Sequence, residues 1–140
     1  MADLEPLIRL RKHTVEEKQK VLSALYRESE TLDLKKQKLI EQMEREREIA
    51  EREGSPDTLS YYGRYAENVR KKIAMLDAAL KKLEVRVAAA QEDMRTAFAE
   101  MKKVEIVHRR RSEEAQKESD KKESEELDDI AIDGFRRKEE

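Results

Sequence analysis

The sequence predicts an all-α fold: an antiparallel two-helix coiled-coil hairpin with an extended charged C-terminal helix or tail. Three observations predict it. Fourteen consecutive positions from Leu59 to Val104, spaced alternately by three and four, are all apolar: Leu59, Tyr62, Ala66, Val69, Ile73, Leu76, Leu80, Leu83, Val87, Ala90, Met94, Ala97, Met101 and Val104. A second stripe of fourteen positions precedes it, and one break, Gly54-Ser55-Pro56-Asp57, separates the two. A three-four alternation keeps one narrow face of a helix apolar, as a helix wound against another helix requires.

Composition agrees with a thin helical pair rather than a round core. Of 140 residues, 46% are charged, 37% apolar and 4% aromatic, with no Trp. An average globular domain is about 25% charged. Burying two positions in seven needs little apolar material. Disorder is the rival reading of such a composition, and the unbroken period opposes it over residues 4–104. The net charge of -2 argues against general affinity for nucleic acid. The chain has no Cys, hence no disulfide or thiolate chemistry. No apolar run suggests a leader peptide or membrane insertion.

The first helix is expected over residues 1–53. Asp3 and Pro6 suit its start, since the N–H that proline lacks has no helical partner in the first turn. Its stripe reads Leu4, Ile8, Arg11, Val15, Lys18, Leu22, Leu25, Ser29, Leu32, Lys36, Leu39, Met43, Glu46 and Ala50, nine of the fourteen apolar. Leu7, Val21 and Ile40 flank it.

Residues 54–58 form the turn. Gly54 suits the position just past a helix end, and Ser55 before Pro56 suits an N-cap followed by a first helical residue. So short a connection permits only an antiparallel return. Folding there sets Leu39 against Val69, Leu32 against Leu76, Leu25 against Leu83, Leu22 against Val87 and Leu4 against Val104. Lys18 meets Ala90 and Arg11 meets Ala97, so long stems can cover small residues with their charges in water. At 1.5 Å rise per residue the hairpin is expected to be about 70 Å long.

The second helix pairs over 59–104. Beyond Val104 the stripe fails at His108, Arg111, Ala115, Glu118 and Lys122, while the first helix has run out. Residues 105–140 are thus expected as an unpaired, charged helical extension, frayed or disordered because an isolated helix is marginal. From Arg109 to Glu140 there are nine basic and twelve acidic residues. Leu127, Ile130 and Ala131 make a small apolar face within it.

No catalytic constellation is visible. The glycines Gly54, Gly63 and Gly134 are isolated, so there is no phosphate loop. His13 and His108 lack metal-ligand spacing. The carboxylates sit where pairing along a helix is their ordinary role. No enzymatic activity, cofactor or metal is expected. Three features invite a binding reading against a plainer one. Tyr62 lies on the stripe and reads as core, whereas Tyr61 and Tyr65 point away and suit partner contact. His108-Arg109-Arg110-Arg111 is the densest basic run; it reads as solvated helix surface pairing with Glu105, Glu113 and Glu114, or as a contact for an acidic protein. Met94 and Met101 read as gap-filling core.

The start MADLEPLIRLRK with its Leu4, Leu7, Ile8 and Leu10 cluster, the two long helical stripes, and the tail RRRSEEAQKESDKKESEELDDIAID together resemble the FliJ family of flagellar type III export proteins. The resemblance spans nearly the whole chain. It implies a non-enzymatic coiled-coil component of the flagellar export apparatus, cytoplasmic or peripheral on the cytoplasmic face of the membrane. Its implied partners are the export ATPase hexamer, the export gate membrane protein and the chaperones of late substrates, with no nucleic acid and no direct membrane insertion. On that reading Arg9, Lys12, His108, Arg109, Arg110 and Arg111 would meet the ATPase, and Tyr61 and Tyr65 the gate. The alternative is a scaffolding coiled coil that self-associates, unrelated to secretion.

Overall fold

In the computed structural model, which describes residues 3–139, the chain is two helices, α1 (Glu5–Glu53) and α2 (Pro56–Glu139). Met1, Ala2 and Glu140, assigned above to the first helix and the tail, lie outside the described residues. Asp3 caps α1: its Oδ1 accepts a hydrogen bond from the Glu5 N–H at 3.0 Å, satisfying a donor that the first turn cannot.

The connection is shorter than the five residues expected. α2 already begins at Pro56, so only Gly54 and Ser55 lie between the helices. Gly54 has φ +67°, the left-handed conformation that costs a glycine least, and its N–H closes on the Ala50 carbonyl at 2.9 Å. The Ser55 hydroxyl accepts from the Thr58 N–H at 3.2 Å and donates to Thr58 Oγ1 at 2.6 Å. Thr58 Oγ1 in turn donates to Glu53 at 3.2 Å, tying the last residue of α1 to the first turn of α2.

Burial follows the two stripes. From Leu4 to Ala50 all fourteen stripe positions are buried or half-buried. On α2 thirteen of fourteen are, and Leu59 is the exception at 45% exposed. Leu59 is the first position of its stripe, beside the point where α1 stops, so no further layer covers it.

The chain divides into two compact units, Glu16–Thr96 and a second made of Met1–Val15 with Ala97–Glu140. In the Glu16–Thr96 unit, Leu22, Leu25, Leu83 and Ala90 form a buried cluster with Leu32, Val87 and Met94 packed against it. Two polar links cross between the helices there. Lys36 Nζ lies 2.7 Å from Asp77 Oδ1, and Gln91 Nε2 donates to the Tyr26 hydroxyl at 2.7 Å.

In the other unit the buried cluster is Val15, Ala97 and Met101. Arg11 is half-buried, and one nitrogen of its charged group is covered. Its Nε is buried and has no hydrogen-bond partner. Coverage reaches past Val104: Glu105, Ile106 and His108 are half-buried. α2 then continues as helix, and from Gln116 to Lys138 every residue is exposed.

Candidate functional site

Within the unit containing the chain ends, Arg9 and Lys12 stand one turn apart on α1, which puts them on one face. They line a groove of about 330 Å³ with Glu5 and Ile8 from α1 and Glu105 and His108 from α2. Arg9 lies 3.9 Å from Glu5, and Lys102 reaches Glu105 at 3.2 Å. The groove is therefore of mixed charge, with two carboxylates beside two cations and a half-buried imidazole.

The basic run does not act as one patch. Successive residues on an α-helix are turned about 100° from each other, so three arginines in sequence fan out. Arg111 enters a different, apolar groove of about 200 Å³ with Leu4, Leu7, Val104, Val107 and Lys103. Arg109 and Arg110 are exposed and line neither groove. Of the six basic residues singled out from sequence, the structure brings together Arg9, Lys12 and His108.

In the Glu16–Thr96 unit the tyrosines part company. Tyr61 is 68% exposed. Tyr65, expected to point outward, is half-buried, with its ring centroid 6.4 Å from that of Tyr62 at 45°. Burial, followed by the nearby Glu46 carboxylate, pushes the Tyr65 hydroxyl above the usual tyrosine value. The reason is spacing: Tyr62 and Tyr65 are three residues apart, so a ring beside the stripe leans onto the one within it. Tyr61 is thus the outward tyrosine at this end.

A third surface escaped the sequence reading. In the same unit a groove of about 560 Å³ is lined by the half-buried Leu39 and Leu76, by the exposed Met75, and by Lys35, Lys38 and Lys72. Its only sequence sign was Met75, an apolar residue beside the stripe that is 74% exposed.

Among the described residues no cluster of three or more His, Cys, Asp or Glu side chains could hold a metal ion. No helix among them is long and apolar enough to cross a membrane.

A hairpin of two long helices, apolar within and charged outside, defines an all-α helical-hairpin class of protein. A family model described as Flagellar FliJ protein matches residues 1–140, the whole length of the chain. The chain belongs to the FliJ family and is accordingly a component of the flagellar export apparatus, a family not known for enzymatic activity. No curated protein and no solved structure matched it.

Proposed function

We propose that this chain couples the flagellar export ATPase to the export gate and helps the traffic of late-substrate chaperones, working in the cytoplasm or on the cytoplasmic face of the membrane through its partners. Family membership supplies the apparatus. The observation that carries the ATPase contact is the groove shared by Arg9, Lys12 and His108, with Arg109, Arg110 and Arg111 exposed or grooved beside it. A mixed-charge groove edged by flexible cations fits an acidic protein surface and fixes orientation more than affinity.

The role is mechanical. Both helices lack an interior proline, and each is held by an apolar stripe, so load passes along unbroken hydrogen-bonded backbone. Tyr61 is the contact we assign to the export gate, and Tyr65 acts there by bracing Tyr62.

The test is a pull-down with the hexameric export ATPase. Arg9→Glu with Lys12→Glu, and separately glutamate at Arg109, Arg110 and Arg111, are each expected to weaken capture at least about tenfold at low salt. Capture by both variants at the level of the unaltered chain overturns the assignment. The matching test for the other contact is Tyr61→Ala against the cytoplasmic part of the gate protein.

A further inference from the structure

We propose that the last turns of α2 in one copy of this chain dock in the lysine-banked groove of a second copy. The tail carries Leu127, Ile130, Ala131 and Phe135 at i, i+3, i+4 and i+8, which share one face of a helix as the anchors of a groove-bound helix do. Leu127, Ile130 and Phe135 are 65%, 67% and 64% exposed, so this face is uncovered. Gly134 lies within the same face, and a Cβ there would meet nothing within 4 Å. Over Leu127–Ala131 the stripe is bordered by Glu126 on one flank and Asp128 on the other, and this acidic stretch is the part that enters the groove; the basic residues Arg136, Arg137 and Lys138 follow beyond Phe135 and lie past its banks.

The groove is the complement. Its floor is the half-buried stripe residues Leu39 and Leu76, with Met75 exposed at its rim. Its banks are Lys35 and Lys38 from α1 and Lys72 from α2. An apolar stripe with an acid on each flank thus meets an apolar floor with a lysine on each bank. The three lysines are exposed and take no part in the ion pairs of the described residues. A lone solvated helix is marginal in water, and seating its apolar face in a second copy gives this one a reason to persist. The association is weak, in keeping with a single helix in an open groove.

Charge exchange tests the pairing in the full chain. Sedimentation equilibrium at low salt should show a mass rising from one chain towards two between micromolar and millimolar concentration. Lys38→Glu with Lys72→Glu, and separately Glu126→Lys with Asp128→Lys, should each weaken association at least about tenfold. All four sites are exposed, so helicity and melting should be unchanged. Mixing the two variants should restore association, because the acidic groove now meets a basic tail and the original pair is also present. A single mass at every concentration overturns the proposal, and so does an association that either charge-reversed variant retains. Restored mass in the mixture, together with cross-links between labelled and unlabelled copies joining Lys72 to the tail, supports it.

Discussion

The Lys36 ammonium lies 2.7 Å from the Asp77 carboxylate, bridging α1 and α2. Counting outward from the turn, Lys36 stands level with Ile73, yet it meets a residue one turn further along α2. The offset has a geometric cause. Every Cα–Cβ bond tilts towards the N-terminus of its own helix, so in an antiparallel pair both side chains lean into the same gap. Tyr26 and Gln91 meet across the helices with a larger offset of the same sign.

The bridge is half-shielded, with side chains 27% and 46% exposed. The hydrogen bond and charge of Asp77 hold the Lys36 ammonium above the ordinary lysine value. A raised folded-state pKa means the contribution is whole below the unfolded value and is lost as pH climbs through the folded one. Lys36→Met should therefore lower the melting temperature by the same small amount across neutral pH. The difference should vanish in strong alkali and shrink with added salt. Thermal melts followed by circular dichroism read all three.

Leu83 and Leu25 are 3% and 6% exposed in the larger core cluster, whereas Leu59 is 45% exposed. Leu83→Ala should cost about 2–5 kcal/mol, the usual range for a buried leucine. Leu59→Ala should cost less, about 1 kcal/mol, since nearly half of its surface is already in water. Urea denaturation of the two variants side by side checks the ratio.

The glycines should respond in opposite directions. Gly54→Ala forces a side chain into φ +67° and should destabilise by about 1 kcal/mol or more. Gly63 lies within α2, and an added Cβ there meets nothing within 4 Å. Gly63→Ala should stabilise by about 0.5–1 kcal/mol. Melting temperatures moving the same way in both would contradict this.

Arg11 leaves its Nε buried without a partner. An unsatisfied buried donor costs about 1–3 kcal/mol, and leucine fits a stripe position in a paired helix. Arg11→Leu should raise stability by about 1 kcal/mol in chemical denaturation. A loss would show that the arginine's stem and outer nitrogens contribute more than its stranded Nε costs.

Tyr65 should titrate later than an ordinary tyrosine, because burial disfavours its phenolate. Comparing the ultraviolet titration of the chain with that of Tyr65→Phe isolates its transition. Stability that depends on the neutral phenol is whole below the unfolded value near 10 and falls as pH passes the folded one.

Sequence periodicity revealed which residues are buried, because a three-four alternation has one structural meaning; Val69, Leu83 and Ala90 follow it directly. The cap at Ser55 was equally legible, since serine before proline satisfies a known donor. Side-chain direction was not. Tyr65 leaning onto Tyr62, Lys36 reaching Asp77 and Arg11 burying its Nε depend on rotamers, which residue spacing leaves open. The binding surfaces suffered most. A basic run is contiguous in sequence but is dispersed by the 100° step of a helix, as Arg109, Arg110 and Arg111 show. The groove between Lys38 and Lys72 joins residues from two helices and has no contiguous sequence trace.

The two-residue link at Gly54 and Ser55 has no slack, and this limits how such a chain can change length. One residue inserted beside it would swing the whole Tyr62–Val104 face about 100° off its mate. Seven residues removed from one helix alone would leave the other with an orphaned stretch of the same size. Only matched excisions of seven, one on each side of the link, would yield a shorter hairpin that still closes.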